Sequence, residues 1–130
     1  MIVLDASVVV ELLTNGALAD SIRNELAKRD ESFLVPHLID VEVLSALRRL
    51  AAGQRIDSHR SAQFLAGLAA LPAERYSHIP LAGRIWELRQ HFTAYDAAYI
   101  ALAEATGSIL YTCDEKIRRG HRARVAVFTS

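Results

Sequence analysis

Hydrophobic and polar positions along the chain follow two rhythms. Short apolar runs recur at Ile2-Val3-Leu4, Phe33-Leu34-Val35 and Ile109-Leu110-Tyr111-Thr112, none with a period-two alternation. Such runs read as strands buried on both faces, the setting of central strands in a parallel sheet. Between them the apolar residues fall three and four apart, as on one face of a helix. The spacing predicts a helix from Ala6 to Leu13, closed by Thr14-Asn15-Gly16, and a second over Ala17–Arg29 with Leu18, Ile22 and Leu26 on one stripe. Pro36 stops the second strand. A third helix, Leu38–Ala52, ends at Gly53, and its expected core face is Val41, Leu44, Leu47 and Ala51, widened by Val43 and Leu50. Ser58 starts a fourth helix that carries Phe64, Leu65 and Leu68 to Leu71, where Pro72 ends it. Tyr76–Ile79 reads as a weak strand and Leu81–His91 as a helix bearing Trp86. A helix opening at Thr93 or Ala94 runs through Glu104 to Gly107. Asp114–Arg119 gives one or two helical turns, and Val125–Thr129 the last strand.

Strands separated by helices throughout predict an α/β sandwich around a parallel sheet, as a single domain over residues 1–130. The third and fourth helices fall between strands two and three and should form a helical arm at one edge. Apolar residues are 52% of the chain and charged residues 23%, a folded rather than disordered balance. No apolar run approaches a membrane span, and Asp5 comes too early for a secretory leader, so a cytoplasmic protein is expected. The lone Cys113 has no partner for an internal disulfide. Net charge is zero, which removes any overall basic signal for nucleic acid. Thirteen of the fifteen cations are Arg, however, and the guanidinium fork suits phosphate.

The candidate chemistry lies in four acids. Asp5 ends the first strand and Asp114 follows the fourth, so both leave the sheet at its carboxyl edge, where open α/β sheets bind ligands. Glu42 lies one turn into the helix that follows strand two, between Val41 and Val43, and belongs to the same edge. Asp96 is the only charged residue in the run Tyr95–Ala103. Singly, each acid has an ordinary explanation. Asp5 and Asp114 can cap the helices after them, Asp96 sits three after Thr93 at a capping-box position, and Glu42 can be solvated. Jointly, four carboxylates on one edge repel unless a cation is present. An all-oxygen set with room for water suits Mg²⁺ or Mn²⁺.

Leu4-Asp5-Ala6-Ser7, Glu42 six residues after Pro36, Tyr95-Asp96-Ala97-Ala98-Tyr99-Ile100-Ala101-Leu102-Ala103, and Thr112-Cys113-Asp114 with its acid eighteen residues after Asp96 resemble the four motifs of PIN domains. The resemblance runs from Met1 to about Phe128 and is greatest to the VapC toxins of bacterial toxin–antitoxin pairs. It implies a five-stranded parallel sheet of order 3-2-1-4-5 and a metal-dependent endoribonuclease. Asp5, Glu42, Asp96 and Asp114 would be the catalytic, Mg²⁺- or Mn²⁺-binding quartet. Ser7 and Thr112 would orient a metal-bound water or a carboxylate. The implied partners are an RNA substrate and a VapB-like antitoxin. Ser45, on the same helix face as Glu42, has no role that carries over.

Without the quartet, eleven acids stand against fifteen cations, and Lys116, Arg118, Arg119, Arg122 and Arg124 follow Asp114 as a run able to bind RNA phosphates. The apolar arm of Phe64, Leu65, Leu68 and Leu71 points to a homodimer, since so small a domain can hardly bury it alone. Rival readings are a PIN nuclease without an antitoxin, an aspartyl phosphohydrolase and a phospho-acceptor module. The phosphohydrolase usually needs a second acid where Ser7 stands. The phospho-acceptor needs a late-strand Lys, and only Lys28 and Lys116 exist. The five histidines share no ligand or triad spacing, and no nucleophile motif surrounds Cys113.

Overall fold

The first strand, β1 (Ile2–Leu4), is wholly apolar because it is buried on both faces, with exposures of 0–1%. In the computed structural model, which describes residues 1–130, it is the middle strand of a five-stranded parallel sheet. β2 (Phe33–Pro36) pairs on one side of it and β4 (Ile109–Thr112) on the other, with β3 (Ala73–Tyr76) and β5 (Arg124–Val127) at the edges. The order is 3-2-1-4-5, as the motifs implied.

Helices α1 (Ala6–Thr14) and α2 (Ala19–Ala27) connect β1 to β2, and α3 (Ile39–Ala52) and α4 (Ser61–Ala69) connect β2 to β3. α5 (Ala82–Glu87) and α6 (Ala94–Thr106) lead back to β4. α1 packs on α2, α3 and α4, whereas α5 packs on α6, and α6 lies over β1, β2 and β4. The result is a three-layer sandwich with the sheet in the middle. α6 is almost wholly inward-facing, Ala97 to Ala103 all being buried, and Gly107 ends it in the left-handed region (φ 65) just before β4. No helix is long and apolar enough to cross a membrane.

Four expectations need correction. The core face of α3 is Ile39, Val43 and Leu47, spaced four apart, whereas Val41 (71% exposed) and Leu44 (42%) face solvent. Val41 lies on the side of the helix opposite Val43, so starting the stripe there swung the expected face toward solvent, although Val43 and Leu47 are common to both. β3 spans Ala73–Tyr76 rather than Tyr76–Ile79, and pairs from Phe33↔Ala73 to Pro36↔Tyr76. Its charged residues hid it: on an edge strand Glu74 and Arg75 are tolerated, and Arg75 forks onto Asp40 of α3 at 2.9 and 2.7 Å. Finally, α4 buries Phe64 and Leu68 within the chain, leaving Leu65 (51% exposed) outside. The fifth helix is also shorter than the pattern suggests, since Leu88–His91 continue as turns.

Candidate active site

The register of the central strands brings the first and last acids together. Leu4 is level with Tyr111, and the Asp5 N–H donates to the Tyr111 carbonyl at 3.1 Å before the chain turns into α1. Asp5 caps that helix from an extended backbone, its Oδ1 accepting from the Val8 N–H at 3.1 Å. Oδ1 also accepts from the Ser7 hydroxyl, and Oδ2 from the Thr112 hydroxyl. Each hydroxyl oxygen in turn accepts a backbone N–H at 3.0 Å, Ser7 from Cys113 and Thr112 from Asp114. The ends of β1 and β4 are thereby stitched together, and Asp5 is held at 5% exposure with both oxygens engaged.

The other acids come from three different elements. Asp114 Oδ1 accepts from the Lys116 N–H at 2.9 Å and caps the 3₁₀ turn Glu115–Arg118. Asp96 lies in the first turn of α6, where Thr93 is the cap and takes the Asp96 N–H at 3.1 Å. Glu42 stands in the first turn of α3. Asp5, Glu42, Asp96 and Asp114 all line one cavity of about 370 Å³, together with Ser7, Tyr99 and Arg49.

Their electrostatics show that they share it. Burial raises the Asp5 carboxyl above its ordinary range; its hydrogen bonds from Ser7, Thr112 and Val8 oppose this, and the Asp96 charge adds. Burial likewise raises Glu42, with the nearby Tyr99 phenol working against it and the charges of Asp96 and Asp5 adding to it. Asp96 is raised by burial and then by Asp114, against the pull of Thr93 and Lys116. As the side chains stand, no three of these acids close into a coordination sphere. The donor set is nonetheless all oxygen, and Oε1 of Glu42 is a buried acceptor with no partner. Free carboxylate oxygens around a roomy cavity fit a hard divalent cation such as Mg²⁺ or Mn²⁺.

A family profile described as the PIN domain matches residues 2–122. Ribonuclease VapC9 of Mycobacterium tuberculosis is 41% identical over 117 residues, covering 90% of this chain and 88% of that one. The chain belongs to the VapC family of PIN domains. Among solved structures, PAE2754 from Pyrobaculum aerophilum superposes with a TM-score of 0.71 at 23% identity, over 95% of this chain and 81% of that one. A toxin–antitoxin complex from Klebsiella pneumoniae gives 0.65 at 18% identity, covering 92% of each chain. At those identities the structures show a shared fold.

Three residues of this candidate site in the VapC-family chain escape a motif reading. Tyr99 looks like one more apolar residue of the α6 core, and its only signal is its place one turn after Asp96. Arg49 lines the cavity, and its guanidinium donates to the Ser45 hydroxyl at 3.1 Å, which gives Ser45 a tethering role. Glu11 also lines the cavity, but its carboxylate accepts from the Leu18 N–H at 3.1 Å and closes the turn into α2. The basic run after Asp114 is largely engaged within the chain. Arg118 pairs with Glu115, Arg122 with Glu104, and Arg124 donates to the Gly107 carbonyl. Burial pushes the Cys113 thiol up to about 11, which disfavours the thiolate at neutral pH.

Proposed function

We propose that this VapC-family chain is the toxin of a toxin–antitoxin pair, an endoribonuclease that hydrolyses RNA with Mg²⁺ or Mn²⁺ held by Asp5, Glu42, Asp96 and Asp114. The observation that carries the reading is one cavity walled by four carboxylates, three of them pushed up by burial and by one another's charge. A bound divalent cation supplies an acidified water and neutralises charge on the scissile phosphate. The chain's own work is positional. Ser7 and Thr112 hold the Asp5 carboxylate by both oxygens, so it meets the ion in one orientation. Asp114 is fixed by its cap, and Asp96 by the first turn of α6. Arg49, tethered to Ser45 at the cavity wall, offers a guanidinium to the phosphate of the RNA strand.

The same cavity suits inhibition by a VapB-like antitoxin. An Arg or Lys inserted by the partner would neutralise the carboxylates and displace the ion. A second copy of the chain is the other proposed partner. Its surface is not the whole arm expected from sequence, because Phe64 and Leu68 are buried; it is the groove where exposed Leu44 and Leu65 meet. Action on RNA would place the protein in the cytoplasm.

The test combines cleavage with melting. Single-stranded RNA should be cut in Mg²⁺ or Mn²⁺ and left intact in EDTA. Asp96→Asn should abolish cleavage while the metal-free protein melts at the wild-type temperature or above, because like-charge repulsion is relieved. Mg²⁺ should then raise the variant's Tm less than the wild type's, since binding to the native state is what adds stability. Cleavage undiminished in EDTA, or an active Asp96→Asn with the full Mg²⁺ gain, overturns the reading.

A further inference from the structure

Only two buried side-chain polar atoms in the molecule lack a hydrogen-bond partner, Oε1 of Glu42 and the hydroxyl of Tyr99. Folded chains rarely leave such atoms unpaired, so each calls for a reason. These two are neighbours. Glu42 on α3 and Tyr99 on α6 line the same acidic cavity, and each shifts the other's acidity. One is a donor and the other an acceptor. The Tyr99 ring has no freedom to seek another partner: the residue is 1% exposed, in a helix buried from Ala97 to Ala103. It also follows Asp96 by one turn, on the same face.

We infer that Tyr99 is the positioning residue for Glu42, its hydroxyl donating to Oε1 and holding the carboxylate for the divalent cation. This rests on the metal-site reading above. It gives the phenol a purpose that core packing does not supply, because a phenylalanine would fill the same space without burying an unpaired hydroxyl. Carboxylates that bind metal are commonly steadied by such outer hydrogen bonds.

The test is Tyr99→Phe, read by Mn²⁺ titration calorimetry and by melting in EDTA. The metal-free variant should melt at the wild-type temperature or higher, since the substitution removes an unpaired polar atom and keeps the ring. Its Mn²⁺ affinity should fall about tenfold or more. In a Glu42→Gln background, removing the hydroxyl should cause no further loss. Wild-type affinity in Tyr99→Phe overturns the inference alone and leaves the metal site standing. Equal further weakening in the Glu42→Gln background also overturns it, because the hydroxyl then acts elsewhere. A Tyr99→Phe protein without a cooperative melt shows a structural hydroxyl and refutes the positioning role. Wild-type protein that binds no Mn²⁺ overturns the metal site itself, and the inference with it.

Discussion

Thr112→Val separates the hydroxyl that holds Asp5 from the shape that fills the core. Thr112 is fully buried at the end of β4, where its hydroxyl donates to Asp5 Oδ2 and accepts the Asp114 N–H. Valine keeps the volume and removes both bonds. A hydrogen bond to a charged group is worth about 1.5–3 kcal/mol, so the metal-free variant should lose that much at neutral pH. For a domain of this size the Tm should drop roughly 5–15 °C. Thr112→Ser is the control, because it keeps the hydroxyl and gives up one buried methyl, about 0.8 kcal/mol. The two variants should also differ in pH response. The lost bond favoured the charged form of Asp5, so without it the carboxyl, already raised by burial, rises further. The variant then holds its proton to higher pH, and its deficit against wild type widens as pH climbs and narrows in mild acid. Urea titrations of the three proteins in EDTA, from about pH 4.5 to 8 across the carboxyl range and above, provide the measurement. A Thr112→Val deficit below about 0.5 kcal/mol, the scatter of neutral surface substitutions, or one constant with pH, would show that the hydroxyl does not hold the carboxylate.

Two further outcomes follow from the same structure. Asp5, Glu42 and Asp96 are all raised, so between the ordinary carboxyl range near about pH 4 and their folded values the native state binds more protons than the unfolded one. Their contribution to stability is full in acid and lost as pH rises through those folded values, so melting in EDTA should peak in mild acid and Mg²⁺ should help most near neutrality; a metal-free Tm climbing steadily to pH 8 would refute this. For the dimer, wild-type protein should sediment as two copies at micromolar concentration and Leu65→Arg as one, since Leu65 and Leu44 share the exposed groove; a monomeric wild type would remove that role from the surface.

The sheet was legible because its signals were local. Short apolar strands with no alternation, separated by helices, leave few topologies, and the motif resemblance supplied the order. What stayed hidden depended on context. β3 carries Glu74 and Arg75, which read as loop until Asp40 on α3 is seen to receive the arginine. The face of α3 could not be chosen from Val41, Val43, Leu44 and Leu47 alone, because apolar residues surround most of that helix and burial selects among them. Tyr99 was invisible as a site residue for the converse reason: it is buried with the apolar core of α6, yet it also lines the cavity.

The acids themselves show why capping and chemistry were never true rivals at this edge. Asp5 and Asp114 do cap the segments that follow them, as the ordinary explanation holds. A cap fixes one carboxylate oxygen against backbone N–H groups and so fixes where the whole group points. In a parallel sheet every strand ends at the same edge with a helix about to start, so caps from β1 and β4 converge without any further device. Each helix start also presents partial positive charge, which offsets part of the repulsion that gathering the acids creates. Asp5 shows the limit of that economy. Its oxygens accept from Val8, Ser7 and Thr112, yet burial still leaves it raised. Helix starts therefore assemble the cluster and moderate it, but they leave an unneutralised remainder, and that remainder is what a divalent cation would satisfy.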